Sequence, residues 1–199
     1  MQLSRLFERC LNAHYQPAGG VHFAVERAGE SLWLFFEHSR DAVDWKRNLD
    51  FPIQPYRRMG DRRWYCHRGF LEAWKQVEPH VAAALAARSV RQVVAAGYSH
   101  GAALAVLCHE YIWFHFPALR QSVSGYGFAC PRVIWGSAPQ ERWERFTAIC
   151  NRGDPVSHLP PAALGYRHVG RVITLGEKGA KLRLEAHLPA AMRRALKGQ

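Results

Sequence analysis

A serine set between two glycines constrains this chain more than any other feature of its sequence. The stretch Gly97-Tyr98-Ser99-His100-Gly101 follows directly on the apolar run 90–96 and opens an almost unbroken apolar segment that ends ahead of Pro117. The first run predicts a strand, and the second is long enough to be a buried helix. A strand that passes straight into a helix must turn sharply, and glycines two positions either side of Ser99 leave room for that turn. Such a turn lifts the Ser99 hydroxyl clear of the sheet, where the helix presents its first N–H groups and the positive end of its dipole.

The rest of the chain alternates in the same way. Helical spacing marks residues 4–15, 69–88 and 188–196, with shorter helices over 41–49 and 140–145. Strands are predicted at 21–27, 31–36, 122–130, 146–150 and 166–175, the first two joined as a hairpin across Ala28-Gly29-Glu30. Residues 51–64 carry Pro52, Pro55 and Gly60 and read as loop, while Pro79 predicts a kink or break in the long helix. Alternating strands and helices over 199 residues imply one α/β domain spanning residues 1–199. Its central sheet is mostly parallel, with helices on both faces and chemistry at the carboxyl ends of strands.

Composition narrows the class. Hydrophobic residues make up 48%, too many for a disordered tail. No apolar run approaches the roughly 20 residues of a membrane span. Lys and Arg number 27 against 16 Asp and Glu, a net charge of +11 that favours anionic partners. Cys10, Cys66, Cys108, Cys130 and Cys150 show no zinc spacing, and several sit in apolar stretches, so buried free thiols are expected rather than a disulfide framework. The first ten residues mix charged and apolar side chains without a secretory h-region, so the expected location is cytoplasmic.

A serine hydroxyl attacks only when a base takes its proton. In a strand–turn–helix setting the partners follow in the order serine, acid, histidine. Beyond Ser99 the one aspartate is Asp154, in Asn151-Arg152-Gly153-Asp154-Pro155-Val156, just past the strand 146–150. Three histidines follow. His158 shares the acid's loop, His168 begins the last predicted strand at the wrong end of the sheet, and His187 stands between that strand and the final helix. Ser99, Asp154 and His187 are therefore predicted as nucleophile, orienting acid and base, with the His100 N–H as an oxyanion donor. This chemistry needs no metal or cofactor.

Further motifs stand in order along the chain. Phe36-Glu37-His38-Ser39 with Asp44-Trp45 behind it is similar to F-R-G-[ST] with D-W, and Asn48-Leu49-Asp50-Phe51 to N-L-x-F. His67-Arg68-Gly69-Phe70 is similar to H-x-G-F, and Gly97–Gly101 to G-H-S-L-G. Ala129-Cys130-Pro131-Arg132-Val133 is similar to G-x-P-R-V. Asn151 through Asp154-Pro155-Val156 to Leu159-Pro160-Pro161 is similar to N-x-x-D-P-V-x-x-L-P-P, and Tyr166-Arg167-His168-Val169-Gly170 to Y-x-H-x-G. On these motifs the chain resembles the class 3, fungal-type lipases of the α/β-hydrolase superfamily. The resemblance implies that fold, the same triad, Ser39 as a second oxyanion donor beside the His100 N–H, and structural roles for His67 and His168.

Two departures from the family bear on function. Glu37-His38 replaces Arg-Gly and puts a bulky residue in the oxyanion turn. Where the family carries an amphipathic lid helix, this chain has Arg40-Asp41-Ala42-Val43-Asp44-Trp45, short and polar. The expectation is a serine hydrolase of carboxylic esters that favours short or soluble acyl esters, with lipid glycerides and phospholipids as further substrates. It would lack an apolar platform for oil and touch anionic membrane surfaces peripherally. No nucleic-acid partner is expected, because no helix-turn-helix, RNP or finger pattern is present. The alternative is a catalytically weak lipase-fold module that binds anionic lipid or other anionic surfaces, suggested by His38 and the +11 charge.

Overall fold

The computed structural model describes residues 2–37, 52–56, 64–86 and 89–198. Among them the strands are β1 Gln16–Ala18, β2 Val21–Ala28, β3 Ser31–Phe36, β4 Ile53–Tyr56, β5 Trp64–His67, β6 Gln92–Tyr98, β7 Val123–Phe128, β8 Ile134–Trp135, β9 Phe146–Asn151, β10 Tyr166–Arg167 and β11 Arg171–Leu175. The α-helices are α1 Leu3–Leu11, α2 Arg68–Leu85, α3 His100–His115 and α4 Pro189–Lys197.

The main sheet has the order β1-β2-β3-β6-β7-β9-β11. Its first three strands pair antiparallel, and β3 through β11 run parallel. Side chains alternate across each strand and give the sheet two apolar faces. On one, Leu32, Leu34, Phe36, Val93 and Ala95 share a core with Phe70, Trp74, Val77 and Val81 of α2 and with residues 102–108, Tyr111 and Ile112 of α3. On the other, Phe35, Val94, Ala96, Tyr98 and Phe128 meet Leu6, Phe7 and Cys10 of α1 and Met192 and Leu196 of α4. Helices therefore cover both faces of a mostly parallel sheet, the α/β-hydrolase arrangement expected from the sequence. The two ends of the chain also meet, Arg193 donating two hydrogen bonds to Glu8 at 2.6 and 2.9 Å.

Helix α3 is buried from Gly101 to Ile112, so it has no solvent face and needs no polar stripe. It lies against the sheet backbone to backbone. A Cβ on Gly97 would fall 2.0 Å from the Gly101 carbonyl oxygen, and one on Gly101 would fall 2.1 Å from that of Phe36. The two glycines of the motif are thus the only residues that fit.

Three local expectations are corrected. Residues 53–56, read as loop, form β4, an edge strand of a second, four-stranded sheet ordered β10-β8-β5-β4. Pro55 pairs with Tyr65 there, and an edge strand tolerates the missing N–H. Helix α2 runs as one element through Pro79, which is exposed, while Phe70, Trp74, Val77, Val81 and Leu85 are buried. The lost hydrogen bond thus faces water, and the packed face holds the helix together. The single strand predicted at 166–175 is two, β10 in the second sheet and β11 in the main one. The chain crosses between them at Gly170, whose φ is +71° and where a Cβ would sit 2.4 Å from the Phe146 carbonyl oxygen. The helix predicted at 41–49 lies outside the described residues.

A buried polar bridge joins the second sheet to α3. The Tyr56 hydroxyl donates to Glu110 at 2.6 Å and the Arg142 guanidinium donates to the other oxygen of the same carboxylate at 2.7 Å. All five cysteines are buried free thiols.

Candidate active site

Ser99 sits between β6 and α3 with φ 57° and ψ −120°, a backbone region that side chains rarely enter. The turn is held on both sides. The Ser99 N–H donates to the Phe128 carbonyl of the neighbouring strand at 2.9 Å, and the Ser99 carbonyl accepts from Ala102 N–H at 2.9 Å. His100 opens α3, so its backbone N–H points out along the helix axis on the Ser99 side. Ser39, the other oxyanion candidate, and the polar segment 40–45 lie outside the described residues.

The predicted acid and base meet the serine. Ser99 Oγ lies 2.8 Å from His187 Nε2, and His187 Nδ1 lies 2.8 Å from Asp154 Oδ2. All three side chains are buried, Asp154 completely. Asp154 is fixed by its own loop: Oδ1 accepts from Val156 N–H at 2.8 Å and Oδ2 from the Ser157 hydroxyl at 3.4 Å. With Nδ1–H committed to the carboxylate, Nε2 is left to accept the serine proton.

The segments carrying Asp154 and His187 are laced together. The Arg183 N–H donates to the Gly153 carbonyl at 2.9 Å, the Arg152 N–H to Leu175 at 3.0 Å, and Asn151 Nδ2 to Ala186 at 3.1 Å. Arg132 reaches under the acid loop and donates to the carbonyls of His158 and Pro160, the latter at 3.1 Å. These contacts set the separation that a relay of 2.8 Å bonds requires.

Tyr98 is a further residue of the site, with no motif of its own in the sequence. It comes directly before Ser99 on β6, its hydroxyl donates to the His187 carbonyl, and its ring stacks on the imidazole with centroids 5.4 Å apart and planes 16° apart. Burial, with the Asp154 charge adding to it, raises the Tyr98 hydroxyl above the usual phenol range, so it stays a donor. A buried tyrosine hydroxyl needs a partner, and that requirement is the signal that marks it.

The other histidines serve the scaffold. His67 caps α2, its Nδ1 accepting from Phe70 N–H at 3.3 Å. His168 is corrected in place: it lies beside the acid loop, not at the far end of the sheet, and its Nε2–H donates to the Ser157 carbonyl at 3.0 Å. Burial first, then Arg132, lowers it to about 4, so it is neutral. His158 stays in the acid's loop, its Nε2 3.3 Å from the Arg152 carbonyl, away from Ser99. Burial pushes the Cys150 thiol up to about 11, which leaves that sulfur inert.

The profile of the lipase (class 3) family matches residues 34–164, about two thirds of the chain. The chain belongs to the class 3 lipase family. The match includes Ser99 and Asp154 and stops short of His187. Among curated relatives, the secreted mono- and diacylglycerol lipase 1 of Fusarium solani is 27% identical over 161 residues, covering 75% of this chain and 45% of its own length. The secreted mono- and diacylglycerol lipase LIP1 of Malassezia globosa is 25% identical over 166 residues, covering 79% of this chain and 52% of its own. This class 3 lipase chain thus spans about half the length of the curated relatives it matches. The structure of a fungal lipase–inhibitor complex superposes with a TM-score of 0.70 at 25% identity, over 81% of this chain and 64% of that one.

The relatives correct the expected location. Both curated enzymes are named as secreted, which overturns the cytoplasmic reading. A lack of apolar character in ten residues is no measure of where a chain resides when it spans half of its relatives.

Proposed function

We propose that this class 3 lipase chain hydrolyses carboxylic esters through an acyl-enzyme, with acylglycerols as the substrate class its relatives point to. The carrying observation is the unbroken relay from Ser99 Oγ through His187 to Asp154, 2.8 Å at each step. His187 Nε2 takes the hydroxyl proton as Ser99 Oγ bonds to the ester carbonyl carbon. The carbonyl oxygen becomes an oxyanion at the N-terminus of α3, where the His100 N–H is the donor at hand. The intermediate collapses, the C–O bond breaks, and His187 returns the proton to the departing alcohol. Water then repeats the sequence on the acyl-serine and releases the carboxylic acid. Asp154 stays ionised throughout and faces the imidazolium.

An assembled relay supports turnover over the alternative of a catalytically weak binding module, for which a buried and fully hydrogen-bonded Asp154 would have no use. A serine-directed fluorophosphonate separates the two: it labels Ser99 in an active hydrolase. The Ser99→Ala variant is expected to lose labelling and to drop kcat on a nitrophenyl ester by ~10⁴–10⁶ with its melting temperature intact. A folded variant that keeps a tenth of the turnover would refute the assignment.

A further inference from the structure

We propose that the face of the Tyr98 ring stabilises the positive charge that His187 takes on during the reaction, so that Tyr98 is a positioning residue with an electrostatic share in turnover. The proposal rests on the ester-hydrolase reading and adds a residue to the same relay. His187 is bonded in the plane of its own ring, Nδ1 to Asp154 and Nε2 to Ser99, at 2.8 Å each. Those bonds leave the two faces of the imidazole to other contacts. Against one of them lies the Tyr98 ring, with centroids 5.4 Å apart and planes 16° apart. An aromatic face attracts a cation placed within about 6 Å of its centroid.

The ring is held where it stands. Its hydroxyl is tied to the His187 carbonyl, and Phe7 of α1 meets the ring edge to face, with centroids 5.5 Å apart and planes at 71°. Phe7 is completely buried and is backed in turn by Phe128 at 4.9 Å. Tyr98 is 2% exposed, so little water reaches the contact to screen a charge. A cation against a buried ring gains more from it than one at the surface. The phenol also stays protonated, so the ring brings no charge of its own.

Timing turns this contact into rate. Before attack the imidazole must be uncharged to accept the Ser99 proton, and the ring then gains little from it. The charge exists from the moment the proton reaches Nε2 until it passes to the departing alcohol, and again when water attacks the acyl-serine. A contact that strengthens only in that interval raises kcat and leaves KM alone. Asp154 meets the charge at one edge of the imidazolium, whereas the Tyr98 ring meets it across a face. The residue is also a departure of this chain. Gly97–Gly101 is similar to G-H-S-L-G, and Tyr98 stands where that pattern has histidine. A histidine ring is poorer in electrons and, once protonated, repels an imidazolium beside it, whereas tyrosine attracts it.

The test places phenylalanine and its mono-, tri- and pentafluoro analogues at position 98 of the full chain. Each fluorine draws electron density off the ring face and leaves the shape of the ring nearly unchanged. Tyr98→Phe is the reference, because it has already lost the bond to the His187 carbonyl. kcat and KM are measured on a soluble nitrophenyl ester, with active sites counted by fluorophosphonate and the fold checked by thermal melting. kcat is expected to fall step by step with fluorination, by roughly 10–30-fold across the series, while KM and the melting temperature hold. Tyr98→Leu, which has no π face, should fall at the low end of the series. A kcat that stays level across the series would show that the ring only packs, and would overturn the proposal. So would a series in which KM rises and kcat holds, which would place the ring against substrate. If Tyr98→Leu does not fold, the fluorinated series decides alone. A level series in an enzyme that fluorophosphonate labels refutes this proposal and leaves the hydrolase reading standing. A wild-type chain that is neither labelled nor active refutes both.

Discussion

Replacing Asp154 with asparagine isolates what the buried carboxylate does. Three donors converge on it: His187 Nδ1–H at 2.8 Å, Val156 N–H at 2.8 Å and the Ser157 hydroxyl at 3.4 Å. A carboxylate accepts all three. A carboxamide has one acceptor oxygen, and the backbone N–H of Val156 cannot turn away from it. With that oxygen kept on Val156, the NH₂ faces His187 Nδ1, and the imidazole must move its proton to Nε2. A protonated Nε2 cannot take the Ser99 proton. The opposite flip restores the base but sets NH₂ against the buried Val156 N–H, at a cost of about 1 kcal/mol or more. The imidazolium formed on attack also loses its counter-charge, about 4 kcal/mol for charges about 4 Å apart at an effective dielectric near 20. Together these remove about 5 kcal/mol of transition-state stabilisation, roughly 10³–10⁴ in kcat.

The assay is turnover of a soluble nitrophenyl ester, with active sites counted by fluorophosphonate titration. KM should hold, because Asp154 is buried behind His187 and does not touch substrate. The fold should hold too, because the Val156 bond survives and Ser157 can turn its hydroxyl to accept. A folded Asp154→Asn variant within tenfold of wild-type kcat would refute the reasoning and leave His187 to be oriented by Tyr98 and the backbone alone.

Tyr98→Phe keeps the ring stacked on His187 but removes the hydrogen bond to its carbonyl, so stability should fall by about 0.5–1.5 kcal/mol. Its kcat should fall with KM unchanged, and wild-type values for both in stopped-assay kinetics and denaturant unfolding would show that the contact positions nothing. Burial holds His109 and His168 at about 4, Arg145 adding to the effect on the first and Arg132 on the second. The unfolded chain then binds more protons between roughly pH 6.5 and pH 4, so stability rises with pH across that window and is lost as pH falls through it. Urea titrations should show His109→Gln with a shallower slope there, and an identical slope would count against the buried neutral histidine. Pro79→Ala restores a hydrogen bond on the exposed side of α2 and should stabilise the protein by roughly 1–3 kcal/mol. An unchanged or lower melting temperature would mean that the helix is bent to fit its packing at that point.

The parts of the fold legible in the sequence were those in which local chemistry and burial agree. Residues 93–98 and 101–108 are almost entirely apolar because they lie at the centre of the molecule, and no solvent face dilutes the pattern. The second sheet is not legible because its strands are two to four residues long and one holds a proline, so periodicity has too few positions to register. The break at Gly170 had a visible sign, a glycine inside a predicted strand, which marks a bend or a close backbone approach. The same break moves His168 off the main sheet, whose last strand starts three residues later at Arg171.

The meeting of Ser99, His187 and Asp154 is legible through topology more than through the residues themselves. Ser99 and Asp154 follow β6 and β9, parallel strands of one sheet separated by β7, so both loops open on the same edge. His187 follows β11, which pairs parallel with β9 and delivers its loop to that edge as well. Any serine, acid and histidine placed after three such strands are brought within reach of each other. What topology does not supply is the last ångström. That comes from Tyr98, Asn151 and the Gly153 carbonyl, whose bonds to the His187 segment are made by a strand residue, a side-chain amide and a main-chain oxygen. Only the first of these carries a sequence signal specific enough to search for. The main chain has none, because the partners of a backbone carbonyl are decided by where the loop is held and not by which residue bears it.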